Sequence, residues 1–220
     1  MVKKFINLIK PALFVVPFVL LLIVSVAVRG QEYPGYSTEV ISSLNTAIDS
    51  DYLTDTEKEV VLMLNMIRHD GTLFWNTVAE PYIRQQNIQQ SRYTRSLEKD
   101  LKSSGELPLL HPDKTLYGVA QRHAVASGKE GKLGHTSSAG TFEQRLKPLI
   151  GEFNYLLENS DYGSSEAVDI IMNLMIDEGI PDVGHRKNIL NENVNAVGVA
   201  IAPHRTYRHT CVQVFGQKLK

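Results

Sequence analysis

Two histidines and two acidic residues lie at the ends of predicted elements, where their side chains are free to do chemistry. His135 and His185 each follow a glycine at a junction of helix and loop. Glu158 closes an apolar run before a turn, and Asp177 stands at the end of an apolar helical stretch. Two imidazoles and two carboxylates that converge from separate elements suit a borderline cation such as Zn²⁺, with water in the remaining positions. The same set would also serve as acid and base toward a substrate, and spacing alone leaves both readings open.

The acids at the end of the helical stretch occupy an unfavourable place. Asp177 and its neighbour Glu178 face the negative end of the helix macrodipole. Positions that break a local rule tend to have a role in function. A histidine behind a glycine, by contrast, is most often an exposed or capping residue, so neither His135 nor His185 is a site by itself.

Several well-defined enzyme signatures are missing from the sequence. It contains neither the His-Glu-x-x-His helix of zinc proteases nor the Gly-x-Ser-x-Gly elbow of serine hydrolases. Ser96 to Lys99 matches Ser-x-x-Lys, but the Lys-Thr-Gly and Ser-Asp-Asn partners are absent, which argues against a penicillin-recognising enzyme. The single cysteine, Cys211, lies in an alternating run, so we expect a buried, inert thiol and no internal disulfide.

The first thirty residues do not belong to the folded core. A basic start followed by an apolar run over residues 12–28 predicts export from the cytoplasm. The run is long for a signal peptide and short for a span, so residues 1–30 are either a cleaved signal peptide or an N-terminal membrane anchor. The protein is then secreted and extracellular, or anchored and facing outside. This segment holds four of the 23 basic residues and no acid, so the rest is mildly acidic, which gives no reason to expect nucleic acid as a partner.

The remaining sequence predicts helices first and strands last. Residues 31–53 form a lead-in segment with one short amphipathic helix, and the domain proper begins at residue 54. Capping boxes predict helices that start after Thr54 and after Thr141, and Ser164 or Ser165 is expected to cap a later one. Near the end, Ala196–Ala202 and Thr210–Gly216 alternate with period two and predict an antiparallel pair. This order indicates an α+β fold.

One stretch before the middle of the chain is strongly polar. Between Pro81 and Ser104, apolar residues recur at four-residue spacing, while arginines and lysines alternate with acids and glutamines. This composition favours a solvated helix face over a binding patch.

Short motifs recur in a characteristic order along residues 54–217. They are Leu64-Asn65-x-x-Arg68, Leu107-Pro108, Leu116-x-x-x-Ala120-x-x-His123-Ala124, Gly134-His135, Glu158-Asn159, Gly184-His185-Arg186-x-Asn188-Ile189-Leu190, Val197-Gly198-Val199 and Val212-Gln213-Val214-Phe215-Gly216. In this order and spacing the chain resembles the CAP superfamily of cysteine-rich secretory, antigen 5 and pathogenesis-related proteins, in its bacterial SCP-like form. The cysteines of the eukaryotic members are absent.

The resemblance implies a three-layer α-β-α sandwich with a small antiparallel sheet and a cleft that holds two histidines and two acids. Carried onto this chain, the metal-capable set is His135, Glu158, Asp177 and His185, with Glu178 as the alternative to Asp177. The family motif is Gly-Glu-Asn, whereas this chain has Leu157 in place of the glycine before Glu158. Many members bind a divalent metal in the cleft, and no shared reaction is established.

We therefore expect an exported binding or interaction module with a cleft that binds Zn²⁺ or another divalent cation. Its partner would be a small apolar ligand or another protein. One alternative is a metal-assisted, protease-like hydrolase with His135 and His185 as ligands and Glu158 as general base. Another is a lipid or sterol carrier, which would need an apolar groove between helices.

Overall fold

A four-stranded sheet lies at the centre of the fold, which the computed structural model describes over residues 33–219. Along the sheet the strands run in the order β1-β3-β4-β2. β4 pairs antiparallel with both neighbours, while the two-residue β1 pairs parallel with β3. The predicted signal peptide or membrane anchor, residues 1–30, lies outside the described residues. The strands are β1 (His111–Pro112), β2 (Phe153–Tyr162), β3 (Ala196–His204) and β4 (Arg208–Lys218).

Helices cover both faces of this sheet and make the three-layer α-β-α sandwich. They are α1 (Thr38–Leu44), α2 (Asp55–His69), α3 (Gly71–Phe74), α4 (Glu80–Gln85), α5 (Arg92–Ser103), α6 (Lys114–Glu130), α7 (Phe142–Leu146), α8 (Ala167–Ile176) and α9 (Gly184–Ile189). A π-helical segment, Trp75–Ala79, joins α3 to α4, and a 3₁₀ turn, Lys147–Leu149, follows α7. Within residues 33–219 no helix combines the length and the apolar character needed to cross a membrane.

The two faces of the sheet have separate apolar cores because side chains alternate along each strand. On one face, Val197 and Val199 of β3 pack with α2, α5 and α8. On the other face, Ala200 of β3 and Val212 of β4 pack with α6. Small residues let α6 approach closely: a Cβ on Gly198 would lie 2.1 Å from the backbone nitrogen of Tyr117.

Helix α2 begins where the sequence predicts, and it ties the lead-in segment to the domain. Thr54 and Glu57 form the expected capping box. Leu44 and Ala47 of the lead-in segment lie in the same core as α2. The buried Arg68 donates hydrogen bonds of 2.7–2.9 Å to four main-chain carbonyl groups, two of which belong to residues at the end of α9 and just beyond it.

Two local predictions were wrong. The N-cap of α8 is Glu166, which makes no side-chain capping bond, whereas Ser164 accepts a hydrogen bond from Asn173 instead. The hairpin is also tighter than predicted, because β3 extends to His204 and β4 begins at Arg208. The polar stretch behaves largely as predicted: α5 buries Leu97 and Leu101 and exposes its four basic side chains, while Glu98 and Asp100 are half-buried.

Candidate metal-binding cleft

Each candidate histidine is paired with one candidate acid. Nδ1 of His135 lies 2.9 Å from Oε1 of Glu158, and Nδ1 of His185 lies 2.7 Å from Oδ1 of Asp177. A carboxylate only accepts, so Nδ1 carries a proton in each pair, and in this tautomer the lone pair of the ring lies on Nε2. Neither Nε2 has a hydrogen-bond partner among residues 33–219. The acids are 1% and 2% exposed and the histidines 47% and 23%, so the rings stand between buried carboxylates and solvent.

The second acid of the site is Asp177 rather than Glu178. Asp177 ends α8 in the left-handed conformation, with φ 57°. Aspartate tolerates this conformation better than most residues. Its Oδ2 accepts the backbone N–H of His185 at 3.0 Å while Oδ1 binds the ring. Glu178 is exposed and accepts a hydrogen bond from Ser91.

Arg186 fixes the segment that carries Asp177 and His185. Its fully buried guanidinium donates to the carbonyl oxygens of Met175 and Ile176, the last two residues of α8 before Asp177. It also reaches Asp100 of α5 at 2.8 Å. Carbonyl groups at a helix C-terminus have no partner within the helix, and the arginine supplies one. Arg186 follows His185 directly and binds the two residues that precede Asp177, so it holds the two ends of the turn that carries the acid and the histidine.

Glu158 is held by a buried arginine that the sequence did not indicate. Arg145 of α7 binds both carboxylate oxygens, at 2.5 and 2.8 Å, and also donates to the carbonyl of His135. Burial acts to raise the pKa of Glu158, but the hydrogen bonds from His135 and Arg145 outweigh it and leave the pKa below its usual value. The capping box at Thr141 predicts the short helix that carries Arg145, but its spacing does not identify Glu158 as the partner of this arginine.

His123 braces the loop that presents His135. It is a fully buried histidine of α6. Its Nδ1 lies 3.0 Å from Oγ of Ser137, and its Nε2 lies 3.0 Å from the carbonyl oxygen of Gly134. Burial lowers the pKa of His123, which favours the neutral ring. The ring also lies 3.8 Å from Oε1 of Glu158, so it packs behind the first His–acid pair.

Two asparagines join the His–acid pairs. Nδ2 of Asn188, on α9, donates to Oδ1 of Asn159 at 2.8 Å, and Nδ2 of Asn159, on β2, donates to the carbonyl of His185 at 3.1 Å. These bonds link the middle of β2, next to Glu158, to α9, which carries His185. Each predicted histidine thus lies beside one predicted acid, and the asparagines connect the elements that carry the two pairs.

A cavity of about 330 Å³ opens beside His135. Its polar lining comes from His135, Glu158 and Asn188, whereas His185 and Asp177 do not line it. The ring of Phe142 meets His135 edge-on, with 6.4 Å between the ring centroids. The rest of the lining is Glu143, Leu156 and Leu157.

Within the predicted set, only the two imidazoles keep a ring nitrogen that no described residue binds. In the described part of the chain, no group of three or more His, Cys, Asp or Glu side chains is arranged to hold a metal ion. The carboxylate oxygens of Glu158 and Asp177 are already engaged in the bonds given above. Metal-binding histidines usually donate their other ring N–H to a carboxylate, and both pairs have this arrangement. The acids thus fit the role of orienting groups, and Nε2 of His135 and of His185 are the atoms available to a metal.

The sequence profile of the cysteine-rich secretory protein family, CAP, matches residues 64–215. The chain belongs to this family. The match covers both His–acid pairs and ends one residue before the last motif residue, Gly216. No curated protein matches the chain at a significant level.

Solved structures similar to this CAP chain come from bacteria. An outer surface protein from Borrelia burgdorferi is 17% identical over 76% of this chain and 97% of that one, with a TM-score of 0.45. An extracellular protein containing an SCP domain from Bacillus anthracis is 27% identical over 57% of this chain and 39% of that one, with a TM-score of 0.43. A cysteine-rich secretory protein from Staphylococcus aureus is 18% identical over 57% and 36%, with a TM-score of 0.38.

Proposed function

We propose that this CAP domain is an exported binding module whose cleft holds a divalent cation through His135 and His185. The observation that carries the proposal is the orientation of the two rings. Each Nδ1–H is directed to a buried carboxylate, so each Nε2 offers a lone pair that no described residue uses. Imidazole nitrogen suits Zn²⁺ and other late divalent ions, and water would fill the remaining positions.

In this proposal the two acids position the ligands and do not themselves bind the ion. Glu158 holds His135 and is in turn neutralised by Arg145, while Asp177 holds both the ring and the backbone of His185. A bound cation would supply an electrophilic centre to which a ligand oxygen or nitrogen can attach. The chain's own contribution is to fix the rings, to keep both in the same tautomer and to shape the cavity beside His135.

The geometry supports binding better than hydrolysis. A general base must reach its proton within hydrogen-bonding distance and have a pKa near the working pH. Glu158 is 1% exposed, is paired with Arg145, and has a lowered pKa. It is therefore poorly suited to the role of base that a metal-assisted hydrolase would require of it.

A second candidate function is carriage of a small apolar ligand, and one observation favours it. Phe142, Leu156 and Leu157 form an apolar wall in the cavity next to His135. Leu157 stands where the family pattern has glycine, so this wall is larger than the pattern alone would give. Pockets that bind small molecules are typically apolar with a few placed polar groups. Lipid or sterol carriage would use this wall.

Export and the location of the domain are part of the proposal. They are supported by the basic and apolar composition of residues 1–30. A cleaved signal peptide would make the protein secreted, and a retained anchor would hold it outside the cell. Mass spectrometry of the mature N-terminus distinguishes these outcomes.

Calorimetry with Zn²⁺ tests the metal site. We expect the wild-type chain to bind one equivalent, and the His135→Ala/His185→Ala variant to lose this binding. His111→Ala is the matched control, since His111 is exposed on β1 at the far edge of the sheet and should leave affinity unchanged. Equal affinity in the double variant and the wild type would overturn the site. Chelator-sensitive cleavage of a mixed peptide library would show that the protein is a metal-assisted hydrolase and not a binding module.

A further inference from the structure

A polar cavity of about 340 Å³ opens between α4, α8 and the β3–β4 hairpin. It shares no lining residue with the cavity beside His135. Almost all of its lining is polar, which distinguishes it from the apolar wall of the cleft. The side chains that matter here are Tyr82, Ser164, Asp169, Asn173, Arg208 and His209.

One wall of this cavity presents hydrogen-bond acceptors. Asp169 and Asn173 are four residues apart on α8, so they lie on the same face of the helix. The hydroxyl of Tyr82 donates to Oδ1 of Asp169 at 2.8 Å, which leaves Oδ2 available as an acceptor. Nδ2 of Asn173 donates to Oδ1 of Asp161 at 3.1 Å and to Oγ of Ser164 at 3.0 Å. Both donor hydrogens of this amide are therefore in use, and its oxygen remains free to accept.

The other wall is basic. Arg208 and His209 open β4, and Arg208 adopts a left-handed backbone conformation with φ 69°. Opposite charges thus line the same cavity, yet no ion pair within 4.0 Å joins Arg208 to Asp169 or to any other carboxylate in residues 33–219. The space between the two walls separates the charges.

A buried carboxylate adds negative charge behind the acceptor wall. Asp161 is 5% exposed, and its Oδ2 is buried without a hydrogen-bond partner. Its other oxygen is linked to the cavity wall through Asn173. A desolvated carboxylate is stabilised by a nearby positive charge. A cationic group bound against α8 would supply that charge.

We propose that this cavity binds a small zwitterionic amino compound, such as a free amino acid. Its ammonium group would bind Asp169 and the amide oxygen of Asn173, and its carboxylate would bind Arg208 and His209. Arginine and carboxylate groups form strong charge-assisted hydrogen bonds, and the cavity volume suits a ligand of this size. The site is independent of the metal cleft, so each of the two proposals stands if the other fails.

Titration of the full chain with glycine, observed by NMR, tests this proposal. Methylammonium and acetate each carry only one of the two charges, so we expect glycine to bind about tenfold or more tightly than either. Asp169→Asn and Arg208→Gln should each weaken glycine binding by about tenfold. Arg205→Gln is the matched control, because Arg205 lies in the same hairpin but outside the cavity.

Two results would overturn the proposal. One is the absence of glycine-dependent shifts at residues around the cavity. The other is an equal effect of Arg208→Gln and Arg205→Gln on glycine binding. Arg208→Lys keeps the charge but loses the planar fork, so it should bind glycine with intermediate affinity and also reveals whether a loss in Arg208→Gln comes from misfolding.

Discussion

Arg145 binds both carboxylate oxygens of Glu158, at 2.5 and 2.8 Å, and each side chain is almost completely buried. The pair closes the inner side of the cleft and orients His135 through the same carboxylate. A buried ion pair of this kind contributes little net stability compared with apolar packing, but the loss of one partner is costly because the other is left as an unpaired buried charge. The pair therefore constrains what substitutions the cleft can accept.

Arg145→Met should destabilise the domain by about 3–5 kcal/mol, because Glu158 would remain buried without its cation. Urea unfolding at neutral pH measures the change. Arg122→Met is the control, since Arg122 is exposed on α6 and should change the free energy of unfolding by less than about 0.5 kcal/mol. The double variant Arg145→Met/Glu158→Leu should recover much of the loss. A double variant whose loss equals the sum of the two single losses would contradict this account of the pair.

His123→Gln should make stability less dependent on pH. Burial lowers the pKa of His123 in the folded state, so the unfolded chain binds a proton more readily. Its contribution to stability is therefore present above the unfolded pKa of about 6.5 and is lost as the pH falls toward the folded value. Glutamine can still donate to the carbonyl of Gly134 but does not titrate. Between about pH 7.5 and 5.5, the free energy of unfolding measured in urea should decrease less for the variant than for the wild type. An equal decrease would mean that other groups cause the pH dependence.

The sequence predicted those elements whose start and buried face are determined by residues close together in the chain. Thr54 and Glu57 supply the cap of α2 from within one turn, and the spacing of its apolar residues determines the buried face. β2 could not be recognised in this way. A bulge between Asn154 and Leu157 breaks its pairing with β4, and Tyr155 adopts φ 47°, so the period of two is lost where the strand begins.

The candidate site shows the same division. His185 and Asp177 are joined by one turn, so the sequence could place an acid near this histidine, but the choice between Asp177 and Glu178 depends on the left-handed backbone of Asp177. The Arg145–Glu158 pair depends on the packing of α7 against β2, and nothing in the spacing of a lone arginine specifies that contact. Ser164 and Ser165 misled the prediction for α8, because Ser164 accepts a hydrogen bond from the side chain of Asn173 within α8 and does not cap the helix.

Gly198→Ala should lower the free energy of unfolding of the domain by about 1–3 kcal/mol. The added Cβ would lie 2.1 Å from the backbone nitrogen of Tyr117, and a backbone atom in the middle of a packed sandwich cannot move aside as a side chain can. Gly118→Ala is the matched control on the facing helix, because its nearest neighbour would be the end of the Arg122 side chain at 3.6 Å. In α6 that substitution should stabilise the domain by up to about 1 kcal/mol. Thermal unfolding compares the two variants, and equal midpoints would show that β3 and α6 are not in close backbone contact.

Asp177→Asn should weaken Zn²⁺ binding by about 10–100-fold, as expected for loss of a carboxylate that orients a metal-binding histidine. Asparagine tolerates the left-handed conformation of this position, so the turn should persist while the charge that holds the Nδ1–H of His185 is removed. Glu178→Gln is the matched control, since Glu178 contacts Ser91 and not the ring. Calorimetry on the two variants and the wild type decides between the acids. Equal losses would mean that general negative charge near the cleft attracts the ion, and a loss only in Glu178→Gln would mean that Glu178 is the acid that serves the site.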